Sequence, residues 1–212
     1  MRNSTELEKA LERFLPDGAV EKACAMLREH PHHLTITPPR SSKLGDFTPD
    51  PRRGRHELTV NGNLNPFAFL ITLMHELAHL ITYNEHRDRV KPHGAEWKNN
   101  FKKTLGPFLG TNIFPQDVEA AVRSYLANPA ASTCSDISLS KVLARYDRVS
   151  HPDIRLLDDL PAGSHFLYGR ERRRFVKGHK QRTRYLCREV GTAHDYLFNP
   201  LVKVLEVKSA ES

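Results

Sequence analysis

Two histidines and a glutamate interrupt one of the most apolar stretches of the chain. This stretch is LITLMHELAHLITY, residues 70–83, and it contains His75, Glu76 and His79. Burying such groups costs free energy unless they are paired or bind a metal ion. At 3.6 residues per helical turn, positions 75 and 79 lie about 40° apart on one helix face, so both imidazoles can reach the same ion. The spacing H-E-x-x-H therefore predicts a metal site on a buried helix.

Glu76 lies next to both candidate ligands and is the expected catalytic residue. A zinc ion held by His75 and His79 lowers the pKa of a bound water towards neutrality, and an adjacent carboxylate can take the proton. We therefore expect one catalytic Zn²⁺ and a hydrolytic reaction with Glu76 as the general base. The alternative explanation of these residues is a polar network in the core that binds no metal.

A catalytic zinc ion needs a third protein ligand, and four downstream residues are candidates: Glu85, His86, His93 and Glu96. The first two fall where the helix should end, so their reach is poor. His93 begins a stripe with Trp97, Phe101 and Leu105 at four-residue intervals, which predicts the buried face of the next helix. We therefore expect His93 to be the third metal ligand. Glu96 lies about 60° from this stripe and stays as the alternative, as in gluzincin-type peptidases.

The elements around these residues predict a mainly helical first domain, residues 1–128, with a small β-sheet. Helices are expected near residues 5–15, 18–30, 65–83, 93–106 and 115–127. The Thr5/Glu8 spacing and the Asn65-Pro66 pair are typical helix starts. Strands are expected over residues 33–37 and 55–61, and the Pro- and Gly-rich segment 38–54 is expected to be a loop.

The second half of the chain has a different pattern. Residues 128–136 read as a linker, 140–146 as a short helix, and short β-type runs with glycine breaks follow from His165 onward. We place a boundary here and expect residues 129–212 to form a basic, small antiparallel β subdomain. The predicted fold class is therefore α+β.

Basic residues are concentrated in GRERRRFVKGHKQRTR, residues 169–184. The candidates for contact with nucleic-acid phosphates are Arg172, Arg174, Lys177, Lys180, Arg182 and Arg184. Alternation along strands would place some of them on one face, and Phe175 and Tyr185 could stack on bases. No sequence-readout motif is present, so we expect single-stranded or backbone-directed DNA binding. The alternative is a solvated sheet edge whose aromatic residues belong to the core.

Composition narrows the class of protein. The chain has 212 residues, of which 39% are hydrophobic, and a net charge of +7. The charged N-terminus lacks the apolar core of a signal peptide, and Glu76 lies inside the longest apolar run. We therefore expect a cytoplasmic protein that does not enter a membrane. Cys24, Cys134 and Cys187 lack C-x-x-C spacing, which favours buried thiols over a disulfide framework or a cysteine zinc site.

Two motifs together resemble the SprT-like family of zinc proteases, which includes Spartan. They are LNPFAFLITLMHELAHL and KPHGAEWK, in which His93-Gly94-Ala95-Glu96-Trp97 matches the family pattern H-G-x-x-[FW]. The segments SKLGDFTP and HELTVNGNLNP also resemble the strand pair of that family. The resemblance covers about residues 30–108.

The resemblance implies a minimal zincin-like domain in which His75, His79 and His93 bind zinc and Glu76 is the general base. It also implies cleavage of DNA-associated proteins, including proteins crosslinked to DNA, with activation by DNA. Many relatives carry a cysteine zinc ribbon after the protease core, whereas this chain has only Cys187 there. We therefore expect a bacterial-type member whose second subdomain is a degenerate, ribbon-like region without a zinc ion.

Two functions remain open from the sequence. The first is a zinc endopeptidase that binds an extended substrate along an edge strand such as 55–61. The second is a nucleic-acid-binding or transcription-elongation-associated module with a structural or vestigial zinc site. An intact Glu76 favours the first, because a structural site does not need that carboxylate.

Overall fold

Two short helices open the chain in the computed structural model, which describes residues 5–40, 43–52, 56–127, 129, 136–147 and 153–207. They are α1 (Glu6–Leu11) and α2 (Val20–Arg28). The predicted start at Thr5 is confirmed: its hydroxyl accepts from the Glu8 amide, and the Glu8 carboxylate accepts from the Thr5 amide. This reciprocal cap satisfies donors that the first helical turn leaves unpaired.

A three-stranded sheet follows, in the order β1 (His32–Thr37), β3 (His56–Asn61), β2 (Gly45–Thr48). β1 runs parallel to β3, and β2 runs antiparallel to it. Two expectations are wrong here. β2 lies inside the segment expected to be a loop, and β3 is the central strand, so the segment 55–61 cannot offer an open edge. A four-residue strand containing Gly and Asp has little local β preference, and its position depends on pairing with β3.

The longest helix, α3 (Pro66–His86), carries the H-E-x-x-H residues. As predicted, the Asn65 side chain accepts from the Ala68 amide and Pro66 occupies the first turn. Most of the helix is buried, including His75 and Glu76. None of the helices in the described part of the chain combines the length and apolar character needed to cross a membrane.

Three further helices complete the first unit: α4 (Ala95–Leu105), α5 (Gln116–Ala127) and α6 (Ile137–Ala144). α4 buries the predicted stripe of Trp97, Phe101 and Leu105. The Thr104 hydroxyl donates to the carbonyl of Met74, which ties α4 to the middle of α3. These contacts fix the loop between the two helices at both ends.

The second unit is a six-stranded antiparallel sheet, in the order β4-β9-β5-β6-β7-β8. Its strands are β4 (Ile154–Leu156), β5 (His165–Tyr168), β6 (Arg173–Gln181), β7 (Arg184–Glu189), β8 (Asp195–Phe198) and β9 (Lys203–Val207). One face of the sheet covers its own buried cluster, which includes Phe166, Phe175 and Cys187. The predicted α+β organisation is therefore confirmed.

The chain divides into compact units at Asp147, later than the predicted residue 128. α6 lies in the first unit, because the Asn65 side-chain amide donates to the carbonyl of Leu143. The predicted linker 128–136 falls almost wholly outside the described residues. Each unit has its own buried hydrophobic cluster.

Candidate metal and catalytic site

Three histidine side chains converge beside α3. His75 and His79 lie one turn apart on the helix, and His93 lies in the loop that leads to α4. Their Nε2 atoms are separated by 3.2 Å (His75–His79), 2.9 Å (His79–His93) and 3.3 Å (His75–His93). Among the described residues, these three form the cluster that could hold a metal ion.

The three separations fit one small tetrahedral ion. Imidazole nitrogens about 2.0–2.1 Å from a zinc ion at tetrahedral angles lie about 3.3–3.4 Å from each other. Two of the observed distances are within 0.2 Å of this range, and the third is shorter. The geometry therefore brings together the three predicted ligands in an arrangement suited to a metal with one open position.

The electrostatic environment keeps these imidazoles neutral, which is the form that binds metals. Burial, with a smaller contribution from the neighbouring histidines, lowers the pKa of His75 and of His79 to about 3. Burial also lowers the pKa of His93. A neutral set of ligands is therefore available across the physiological pH range.

Aromatic packing holds the His75 ring. Its centroid lies 4.6 Å from that of Trp97 and 5.5 Å from that of Phe101. Within the described residues its Nδ1 atom is buried without a hydrogen-bond partner. Metal-binding histidines usually donate this second nitrogen to an acceptor, so packing takes that orienting role here.

His93 has an unusual backbone conformation. It precedes α4, which begins at Ala95, and its φ angle is +59°. Arg87, at the other end of the same loop, also has a positive φ of +55°. Such conformations are costly for non-glycine residues and occur mostly at functional sites. The sequence pattern predicted the participation of His93 but not the loop that delivers it.

The other candidate ligands lie outside the cluster. The Glu85 carboxylate accepts from the buried side-chain amide of Asn100, at 2.8 Å, and His86 lies beside it. Glu96 is on the first turn of α4 but does not join the three histidines. The geometry therefore favours His93 over Glu96 as the third ligand.

Glu76 is buried beneath the edge strand β2. A Cβ atom added to Gly45 would lie 2.6 Å from Glu76 Oε1 and 2.7 Å from Thr72 Cγ2, so only glycine permits this approach. Burial, together with the nearby Asp46 carboxylate, raises the pKa of Glu76 to about 8. Arg40 and Lys43 act in the opposite direction. The carboxyl group can thus exchange a proton near neutral pH.

Residues 40–47 were not expected to belong to the site. The segment was predicted to be a loop, yet it places Gly45 against Glu76 and Phe47 against His79. Asn61 holds this segment by accepting from the Arg40 Nε atom and donating to the carbonyls of Arg40 and Lys43. The one available signal was the resemblance of SKLGDFTP to a family strand.

The predicted nucleic-acid residues occupy two separate places on the second unit. Arg172 and Arg174 lie at the start of β6, whereas Arg182 and Arg184 lie at the turn that joins β6 to β7. All four are exposed. At about 3.3 Å per residue, the two groups are about 25 Å apart. They form two separate basic patches, although strand alternation predicted that some of them would share one face.

The two lysines differ from these arginines. Lys177 is only 4% exposed, and its ammonium group donates to the carbonyls of Asp158 and Leu160. Lys177 stabilises the interior of the second unit. This buried position does not fit the expected contact with a phosphate. Lys180 is exposed and lies 3.4 Å from the Asp158 carboxylate.

The interleaved aromatic residues are also structural. Phe175 is buried, and the Tyr185 hydroxyl donates to Asp158 at 2.8 Å. Neither ring is placed to stack on a base. This agrees with the alternative interpretation of the segment, in which the aromatic residues belong to the core. These two rings therefore do not support the predicted base stacking.

Comparison with known proteins supports the resemblance for the central part of the first unit. The model of the SprT-like family matches residues 63–124, which include His75, Glu76, His79 and His93. This match confirms the predicted resemblance to the SprT-like family over these residues and indicates a metallopeptidase-like fold. No curated protein and no solved structure matches the chain.

Proposed function

Because residues 63–124 match the SprT-like family, we propose that this protein is a zinc-dependent endopeptidase of that type. The observation that carries the proposal is the convergence of three neutral imidazoles beside a buried carboxylate and an edge strand. His75, His79 and His93 would hold one zinc ion, and Glu76 would be the catalytic residue. The buried carboxylate distinguishes this arrangement from a purely structural site.

Glu76 performs the proton transfers in the proposed mechanism. A bound zinc ion supplies Lewis acidity, which polarises a carbonyl and lowers the pKa of water. Glu76 takes a proton from the attacking water and delivers it to the leaving amine, as its raised pKa allows. The burial of Glu76 beneath β2 limits bulk water around the carboxylate.

The open edge of β2 is the proposed docking edge for an extended substrate. The Asn61 amide donates to the carbonyl of Leu44, which precedes β2. By the alternation of an antiparallel ladder, the backbone groups of Gly45 and Phe47 then point to the open edge. A peptide that adds there as a strand runs past Glu76 and the three histidines.

The test is a cleavage time course with the zinc-loaded protein, a DNA-binding protein as substrate and a Glu76→Gln control. We expect cleavage by the wild type and none by the variant, with equal zinc content in both. Zinc binding without cleavage under any condition would reject the peptidase and favour the alternative, a nucleic-acid-binding module with a structural or vestigial metal.

We further propose that the substrates are DNA-associated proteins, including DNA–protein crosslinks, and that the second unit contacts DNA phosphates. Arg172, Arg174, Arg182 and Arg184, together with Lys180, are the proposed contacts, supported by their exposure. Because neither Phe175 nor Tyr185 is positioned for stacking, we propose binding that is backbone-directed and strongly dependent on salt.

The DNA contact is tested by replacing Arg182 and Arg184 together with alanine. We expect weaker binding to single-stranded DNA and a shallower dependence of log affinity on log salt concentration, by about one unit per lost phosphate contact. Arg123→Ala is the matched control, because Arg123 pairs with Glu119 on α5 of the first unit. An unchanged salt slope in the double variant would place the DNA contact elsewhere.

A further inference from the structure

We propose that Phe47 and Tyr83 form an apolar subsite beside the metal cluster, which binds an aliphatic or aromatic side chain next to the scissile bond. The inference rests on the proposed function, because it assigns a substrate contact to the same site. The family match begins at residue 63, so it does not include the strand that carries Phe47.

Both rings lie near the candidate ligand His79. Tyr83 follows His79 by one helical turn on α3, and Phe47 projects from β2. The Phe47 ring lies nearly parallel to that of His79, with centroids 6.4 Å apart, and its centroid is 5.7 Å from that of Tyr83. The two aromatic side chains therefore form one wall at the His79 end of the site.

This wall is partly exposed and has a rigid base. Phe47 and Tyr83 are half-buried, whereas His56 is only 5% exposed and packs against both rings. Its Nδ1 atom accepts from the amide of Asp50, which fixes the ring. A supported aromatic surface of this kind can bind an apolar group without first having to become ordered.

The strand β2 fixes the position of the wall relative to Glu76. Gly45, two residues before Phe47 on the same face of β2, leaves the space beside Glu76 without a side chain. A peptide paired to this edge places alternate side chains on the α3 side, so a side chain adjacent to the reacting carbonyl meets the Phe47–Tyr83 wall.

The chemistry of the wall selects apolar groups. Its surface is aromatic, and one charge beside it is the Arg87 guanidinium, whose carbon lies 5.2 Å from the Tyr83 ring centroid. A lysine or arginine side chain would meet this like charge and would lose hydration, whereas leucine or phenylalanine would bury apolar surface. The subsite therefore favours leucine-, methionine- or phenylalanine-like groups.

The test measures binding of two hydroxamates to the zinc-loaded protein by calorimetry. One is acetohydroxamate, and the other is a peptide hydroxamate with a leucine-like isobutyl side chain. We expect the second compound to bind about tenfold tighter than acetohydroxamate because of its isobutyl group. We expect Phe47→Ala to remove this preference. Tyr83→Ala should reduce it, whereas Phe47→Leu should retain most of it.

Phe67→Ala is the matched control, since Phe67 is a half-buried aromatic on α3 that packs against Phe114 and Tyr146, three turns from His79. Zinc content and circular dichroism of every variant show whether the metal site and the fold are intact. The control should keep the full preference for the isobutyl compound.

The outcomes separate this inference from the proposed function. A preference that survives in both Phe47→Ala and Tyr83→Ala, or the absence of hydroxamate binding to the zinc-loaded protein, overturns the subsite. A preference that depends on Phe47 in a protein that cleaves no substrate supports the subsite and rejects the peptidase. Loss of zinc on Phe47→Ala with retention on Phe47→Leu would assign Phe47 to metal-site packing and overturn the subsite.

Discussion

His93 is the expected third ligand of the metal cluster, and its replacement tests this role. Its Nε2 atom lies 2.9 Å from that of His79, so His93→Ala should remove a ligand from the site. We expect zinc affinity to fall by at least about a hundredfold, because even the outer partners of metal ligands contribute about 10–100-fold. Competition with a fluorescent zinc chelator measures this change.

Glu96→Ala is the matched control for His93→Ala. Glu96 lies three residues along the chain but outside the histidine cluster, so its loss should leave zinc affinity within about twofold. If Glu96→Ala lost the metal and His93→Ala kept it, the site would be of the gluzincin type.

The buried groups of the site predict how the metal-free protein responds to pH. The pKa of Glu76 is raised to about 8, so between pH 4.5 and 8 the unfolded chain releases a proton that the folded protein retains. Stability therefore falls as pH rises through this range. His75 and His79 have the opposite effect, because their pKa values are lowered to about 3. Below pH 6.5 the unfolded chain binds protons that the folded protein does not, so stability falls as pH drops.

Urea unfolding in the presence of a chelator tests this prediction. Relative to the wild type, Glu76→Gln should gain up to about 2 kcal/mol in unfolding free energy between pH 6.5 and 8, because it has no proton to lose. A difference between the two proteins that does not change with pH would show that Glu76 titrates normally in the metal-free protein.

The clustering of the three candidate ligands could be predicted because their spacing is local. His75 and His79 are one turn apart, and the stripe through Trp97 identified the face that His93 joins. The residues that surround Glu76 could not be predicted in the same way. Arg40 and Asp46 act on its pKa through tertiary packing, which leaves no periodic signal in the sequence.

At the scale of elements, Gly45 controls the distance between β2 and α3. A methyl group at this position would meet Glu76 and Thr72, both buried, so Gly45→Ala should push the strand away from the helix. We expect a loss of about 1–3 kcal/mol in unfolding free energy and a large loss of cleavage. Denaturant unfolding and the cleavage assay measure the two effects.

Gly106→Ala is the control for this substitution. Gly106 has a φ angle of −52°, and an added Cβ meets nothing within 4 Å, so this change should be neutral or stabilising by about 0.4–1 kcal/mol. Full activity and stability in Gly45→Ala would mean that β2 can move without affecting Glu76.

The prediction of elements succeeded for a helix with strong local signals. It failed for strands whose position depends on pairing with another strand. The Asn65-Pro66 start and the apolar α3 were visible in the sequence. Local propensity did not indicate β2, because four residues that include Gly and Asp have little intrinsic β preference and depend on β3, so the resemblance of SKLGDFTP to a family strand was the one signal for it. The same cause made β3 look like an edge strand.

At the scale of the whole molecule, the two units should respond differently to zinc. Each has its own hydrophobic cluster, and all three candidate ligands belong to the first unit. A ligand that binds only the folded form stabilises the unit that holds it. We expect calorimetry to show a zinc-dependent rise in the melting temperature of the first unit alone.

A chelator titration followed by near-ultraviolet dichroism at Trp97 provides an independent check, because the one tryptophan of the chain lies in the first unit. A transition of the second unit that shifts equally with zinc would show that the metal acts on the whole chain.

The short distance along the chain between the candidate ligands has a consequence for folding kinetics. All three lie within residues 75–93, on one helix and the loop that follows it, whereas the paired residues of β1 and β3, such as His32 and His56, are farther apart along the chain. Closing a shorter loop costs less entropy, and local contacts form early. Zinc can therefore join α3 to the start of α4 before β1 pairs with β3, and so act as a nucleus for folding as well as a cofactor.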